Sequence, residues 1–170
     1  AGAVAVSPLR FFPPASPFAG TSATPQSVAM NSRGDVVVGE ELRSRNGTAV
    51  TPTVRTRTGA RGPWSGTIAL AKPSTDTSEP QVAINARGDR IAAFRRLGRY
   101  VASRQTRTGW RLSNVGAPGP STADVSAIAI TASGRGRFVH ALPDAGCTPD
   151  PDACPWTVWI YDQPTAGAEW

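Results

Sequence analysis

An internal repeat limits what this chain can fold into more than any other feature. Three segments answer one another: Pro25-Gln-Ser-Val-Ala-Met-Asn-Ser-Arg-Gly-Asp-Val-Val-Val38, Pro80-Gln-Val-Ala-Ile-Asn-Ala-Arg-Gly-Asp-Arg-Ile-Ala-Ala93 and the more divergent Val125-Ser-Ala-Ile-Ala-Ile-Thr-Ala-Ser-Gly-Arg-Gly-Arg-Phe-Val139. Asn31 and Asn85 lie 54 residues apart, and Asn85 and Thr131 lie 46 apart. Unequal spacing on a constant motif is what loops of different length on a fixed strand core produce. A second echo comes later in the units: Thr56-Arg-Thr-Gly59 before Trp64, Thr106-Arg-Thr-Gly109 before Trp110, and a degenerate Gly167 with Trp170.

The repeat reads as four short strands per unit. In the first these are Gln26–Met30, Val36–Gly39, Val50–Thr58 and Trp64–Leu70. Between the first two, Asn31–Asp35 makes a turn in which Gly34 can take positive φ. Asn46-Gly47 is a hairpin signal, and the run to Thr58 is rich in the β-branched residues that suit strands. The second unit gives Gln81–Ile84, Arg90–Phe94, Tyr100–Thr108 and Trp110–Val115, and the third gives Val125–Ile130, Arg137–Leu142 and Trp156–Tyr161. Leu9–Phe18, with the Ser/Thr-rich link after it, matches the fourth strand of a preceding unit. No stretch keeps a 3.6-residue period, so helix is not expected. The predicted fold is all-β: one domain over residues 1–170, with a leading strand at 9–18 and four-stranded antiparallel units at 25–71, 80–116 and 124–170, the last incomplete.

The 17 glycines and 16 prolines fit a chain that turns often. No apolar run of about 18 residues is present, so no transmembrane helix is expected. The short apolar stretch Ala1–Val6 lacks the charged region of a signal peptide. Either a leader has been removed or the chain is cut from a longer protein, and Trp170 at an expected strand start favours a cut. Cys147 and Cys154 bracket six residues that include two prolines, and the only histidine is His140, so a local disulfide is expected there and not a metal site. Such a bond stabilises by up to about 3 kcal/mol by restricting the unfolded chain, and it places the protein in an oxidising compartment, secreted or at the cell surface.

The motif Pro-x-Val-Ala-x-Asn-x-x-Gly-Asp, best carried by Pro80–Phe94, resembles the repeats of secreted bacterial β-propeller proteins, and the resemblance covers most of the chain. The turns Gly59–Trp64 and Gly109–Trp110 are distantly similar to the Asp-box turns of sialidase-like propellers. Thr56-Arg-Thr and Thr106-Arg-Thr stand where the Asp of that box belongs, and the catalytic residues of sialidases have no counterparts here. The resemblance implies propeller-type blades and secretion. Closed propellers have four to eight blades. The chain is therefore either part of a larger propeller or half of a six-bladed ring closed by two copies. In the second case Leu9–Phe18 of one copy would complete the third unit of the other, since open sheet edges must be paired or covered.

The net charge of +6 rests on 18 basic residues, of which only Lys72 is lysine. Arginines are dispersed along the chain and form no block, which favours codon bias over an anionic partner as the source of the charge. In a propeller the loops after the second and fourth strands share one face. That face would gather Arg43, Arg45, Arg95, Arg96 and Arg99, with Trp156 and Trp159 beside the cysteine loop, and the links Ser74–Glu79 and Gly116–Ala123. Arginine forks fit carboxylate, phosphate or sulfate, so these seven residues form the candidate ligand site, for an anionic glycan or a protein. Trp64, Trp110 and Trp170 recur at strand starts and read as packing residues, and His140, near the position of Phe94, reads as a packed strand residue. Asp144, Asp150 and Asp152 fit no calcium loop. Arg33-Gly-Asp35 and Arg87-Gly-Asp89 are turn elements and not adhesion signals, and no aromatic–basic interleaving supports nucleic-acid binding. No catalytic constellation, metal set or cofactor motif is legible. The expected function is a non-enzymatic extracellular binding or scaffold module. The alternative is a piece of a secreted propeller glycosidase or lyase.

Overall fold

In the computed structural model, residues 22–77, 80–118, 125–143 and 156–163 are described. The described chain is all-β. Its strands are β1 (Ser22–Met30), β2 (Val36–Arg43), β3 (Val50–Arg57), β4 (Ile68–Ala69), β5 (Gln81–Ile84), β6 (Arg90–Arg96), β7 (Arg99–Thr106), β8 (Gly109–Pro118), β9 (Val125–Ile130), β10 (Gly136–Pro143) and β11 (Trp156–Gln163). They form three antiparallel sheets in chain order, β1–β4, β5–β8 and β9–β11, and none is closed. Each sheet is a meander because every connection joins neighbouring antiparallel strands. No helix among the described residues is long and apolar enough to cross a membrane. Leu9–Phe18, Cys147, Cys154, Asp144, Asp150, Asp152 and Trp170 lie outside the described residues.

The sheets pack face to face in sequence. β5 contacts β1 and β2 of the first sheet, and β9 contacts β5 and β6 of the second. Strand alternation sends Val37 and Val54 of the first sheet, with Leu70, against Val82, Ala92, Phe94 and Val101 of the second. The next core joins Ala93, Tyr100, Ala102 and Val115 of the second sheet to Phe138 of the third. His140 is buried in that junction with its ring 4.7 Å from the ring of Tyr100. Gly39 is required where the first two sheets meet: an added Cβ would lie 2.5 Å from the Pro80 carbonyl oxygen. The Ser27 hydroxyl donates to the same oxygen at 2.5 Å.

The repeated turn explains itself chemically. Asn31 Oδ1 accepts the N–H groups of Arg33 and Asp35, each at 3.0 Å, and Asn85 Oδ1 accepts those of Arg87 and Asp89 at the same distance. Gly34, Gly88 and Gly134 sit at φ of 78°, 91° and 90°, the left-handed region that glycine enters without strain. The turns are also linked to one another. Asn31 Nδ2 donates to the Asn85 carbonyl at 3.0 Å, and Asn85 Nδ2 donates to the Thr131 carbonyl at 2.9 Å. Arg33 Nη2 donates to the Arg87 carbonyl at 2.5 Å, and Arg87 Nη2 to the Ser133 carbonyl at 3.0 Å. The motif thus fixes both the turn and its distance to the next.

Two expectations need correction. Trp64–Leu70 is not one strand: only Ile68–Ala69 pairs with β3, and Trp64 makes an isolated bridge to Arg57. Pro63 and Gly66 flank the tryptophan, and the half-exposed indole carries the Arg57 guanidinium 5.2 Å from its ring centre instead of packing in a core. Trp110, in β8, does pack against the first core. The Thr-Arg-Thr-Gly echoes are also out of register. Val37 faces Thr56, but its repeat partner Ile91 faces Arg104, so Thr106 is not the counterpart of Thr56.

Candidate ligand-binding end

At the end of the sheets opposite the repeated turns, β2 and β3 are joined by Ser44–Ala49, where Gly47 takes a φ of 71° and donates its N–H to the Ser44 carbonyl at 2.8 Å. β6 and β7 are joined by a two-residue turn, Leu97-Gly98, with φ of 52° and 68°. Two positive φ values match the twist of the flanking strands. In a leucine, however, this conformation costs about 1–2 kcal/mol. The side chain gains little burial in return, being 65% exposed.

Asp76, in the link between β4 and β5, holds this turn in place. Its carbonyl accepts the Leu97 N–H at 3.0 Å, its Oδ2 accepts the Gly98 N–H at 2.7 Å, and its Oδ1 pairs with Arg95 Nη2 at 3.2 Å. The link also bridges Val50 through Ser74 and Arg96 through Thr77. One short segment therefore braces the loop ends of both sheets.

The candidate arginines divide on this frame. Arg43 is paired with Glu41 at 3.0 Å, and Arg95 with Asp76. Arg96 is half-buried beside the link. Arg45 and Arg99 are exposed, the latter next to Leu97 and Gly98. Trp159 is half-exposed on β11, opposite His140. Trp156 pairs through its backbone with Pro143, and its side chain lies outside the described residues. Sequence reasoning missed Leu97, whose strain has no compositional signal, and Asp76, one acid in a Ser/Thr-rich link. It also missed a cavity of about 290 Å³ at the other end of the third sheet, lined by Thr131, Arg135, Gly136, Arg137 and Asp162.

Each of the six described carboxylates is paired with an arginine: Asp35 with Arg33, Glu40 with Arg55, Glu41 with Arg43, Asp76 with Arg95, Asp89 with Arg87 and Asp162 with Arg137. The Asn31 amide, the Gly59 N–H and the Arg33 guanidinium together outweigh burial and draw the Asp35 carboxyl down to about 2. Burial pushes Asp89 up, but Asn85, Arg87 and the charge of Arg104 outweigh it and leave its pKa lowered. Burial lowers the pKa of Arg90 and Arg104. These two guanidiniums join sheets: Arg90 donates to the Arg57 carbonyl at 3.2 Å, and Arg104 to Gln163 Oε1 at 3.1 Å and to the Gly134 carbonyl.

The architecture defines the class: an all-β repeat protein of three successively packed antiparallel sheets. No family model, curated protein or solved structure matches the chain.

Proposed function

We propose that this protein is a non-enzymatic extracellular binding module with propeller-type blades, and that the β6–β7 turn and the β2–β3 loop take an anionic glycan. The observation that carries the reading is the braced turn: a strained, exposed Leu97 beside exposed Arg99, held by Asp76. Strain that local packing does not repay concentrates at ligand contacts. Arg45 and Arg99 supply the charge for carboxylate or sulfate groups, and Leu97 supplies an apolar contact for a sugar face. Successive packing of β1, β5 and β9 supports the blade arrangement, and the repeat's resemblance to secreted propellers supports the extracellular setting.

A glycosidase or lyase reading is less well supported. Such enzymes need a carboxyl group able to exchange a proton near neutral pH, whereas the described carboxylates are held by arginines, and every resolved carboxyl shift is downward. The test is calorimetric titration with polygalacturonate, with neutral dextran as control. Binding that falls at least fivefold in the R45S/R99S double variant and weakens with salt supports the proposal. Equal affinity of wild type and variant, or equal affinity for dextran, refutes it.

A further inference from the structure

The three described sheets leave one face of the first and one face of the third without a described sheet against them, and the internal junctions reveal what such faces are built to meet. On the side that looks back toward the preceding sheet, Val28, Val82 and Ile128 are equivalent: they pair with Val38, Ala92 and Phe138 at the same step of the repeat. Val82 is 9% exposed and belongs to the first core, and Ile128 packs on the second. Val28 is 60% exposed, and Met30 on the same face is 59% exposed. Glu40, also on this face, is buried and paired with Arg55, so the open part is the β1 strip.

The other outer face mirrors this. Val54, Ala102 and Ile160 are equivalent, pairing with Gly39, Ala93 and Val139. Val54 and Ala102 are 0% and 1% exposed because the next sheet covers them, but Ile160 is 60% exposed and Val158 58%. In β9, Ala129 is exposed where its counterpart Ala83 is buried. The forward face of the third sheet thus presents the apolar positions that, in the first two sheets, receive the first strand of the following sheet.

We propose that copies of this chain associate head to tail, with the β1 strip of one copy seated on the forward face of the third sheet of another. The partner is a second copy because the two faces are the two halves of a junction the molecule already makes twice. A contact between unlike faces is heterologous, closing into a ring or growing into chains as its rotation dictates. The inference rests on sheet packing and is independent of the glycan reading. The new junction has less polar support than the internal ones. Where Asn31, Arg33, Asn85 and Arg87 reach the next turn, the third turn carries Thr131 and Ser133, whose hydroxyls bond each other at 3.0 Å. The association is accordingly reversible and concentration-dependent.

Sedimentation equilibrium on the full chain tests this with two double variants at exposed positions, V28K/M30K and V158K/I160K, each checked for native circular dichroism. The wild type is expected above monomer mass at tens of micromolar, and each variant alone as monomer. An equimolar mixture of the two variants should form a heterodimer, because one intact face of each remains. A monomeric wild type at several hundred micromolar overturns the proposal. So does a mixture that stays monomeric, and so does association of either variant alone, which would mean that like faces meet. The T131N/S133R variant supplies the missing turn donors and should tighten association about tenfold, as expected of one or two further hydrogen bonds; unchanged affinity would show that the faces do not meet in the register of the internal junctions.

Discussion

Asn85 is the residue on which the turn reading can be tested most sharply. It is buried, its Oδ1 accepts the N–H groups of Arg87 and Asp89, and its Nδ2 donates to Asp89 Oδ2 at 2.8 Å and to the Thr131 carbonyl at 2.9 Å. Replacing it by alanine removes all four bonds and leaves two N–H groups, part of a carboxylate and the Thr131 carbonyl to find water. At about 0.5–1.5 kcal/mol per bond, with some recovered by solvent, the expected loss is about 2–4 kcal/mol. For a chain of this size that lowers the melting temperature by about 10 °C. Thr131 holds the same place in the third turn but is exposed, and its hydroxyl accepts the Arg135 N–H at 2.9 Å while sharing a bond with Ser133. Thr131→Ala should therefore cost about 0.5–1 kcal/mol. Urea unfolding of both variants, followed by tryptophan fluorescence, gives the comparison. Equal losses in the two variants, or an Asn85→Ala loss below about 0.5 kcal/mol, would refute the claim that the amide joins one turn to the next.

Three further expectations follow from the same contacts. Asp35 titrates near 2 when folded and near 4 in an unfolded chain, so its stabilisation is complete above about pH 4 and is lost as pH falls through about 2. Wild type should therefore lose melting temperature steeply over that interval, and Asn31→Ala, which removes the largest cause of the shift, should start lower and lose less; parallel curves would contradict the assignment. Gly39→Ala places a methyl group against the Pro80 carbonyl and should cost about 1–3 kcal/mol in urea unfolding. Gly47→Ala, which meets nothing within 4 Å, should cost only about 1 kcal/mol, for its positive φ. Leu97→Asn, better suited to the left-handed region, should raise stability by about 0.5–1 kcal/mol while weakening polygalacturonate binding; a variant less stable than wild type would remove the strain argument.

Sequence made the strands legible because alternation and turn chemistry are local. Gln81–Ile84 and Val125–Ile130 stand where the repeat puts them, and Gly34 and Gly88 take the positive φ that the turn demands. The fourth strand of the first unit was misread because Trp64 resembles Trp110 in sequence, whereas Trp110 packs on the first core and Trp64 is half-exposed beside Arg57. The register error has the same origin. Thr56-Arg-Thr-Gly59 and Thr106-Arg-Thr-Gly109 share composition, but the turns Ser44–Ala49 and Leu97-Gly98 differ in length, and turn length sets pairing. At the candidate site, sequence could locate arginines but not their partners. Arg43 is paired with Glu41 and stays half-exposed, whereas Arg95 is largely covered and held by Asp76 of a link distant in sequence.

One position shows that the units are not interchangeable. Gly39, Ala93 and Val139 occupy the same step of their sheets, facing Val54, Ala102 and Ile160. The side chain there grows from a hydrogen to a methyl to an isopropyl group, and the closest approach falls at the glycine, against Pro80 and Val82. Each sheet is thus cut to the thickness of its own neighbour. A chain with its first two units exchanged would keep every strand and turn motif, yet put a methyl group where a backbone carbonyl must pass and leave a gap where one is needed. Shuffled copies of this repeat should therefore fold poorly even though its turns are nearly identical, because the order of the units is written in the spacing between sheets.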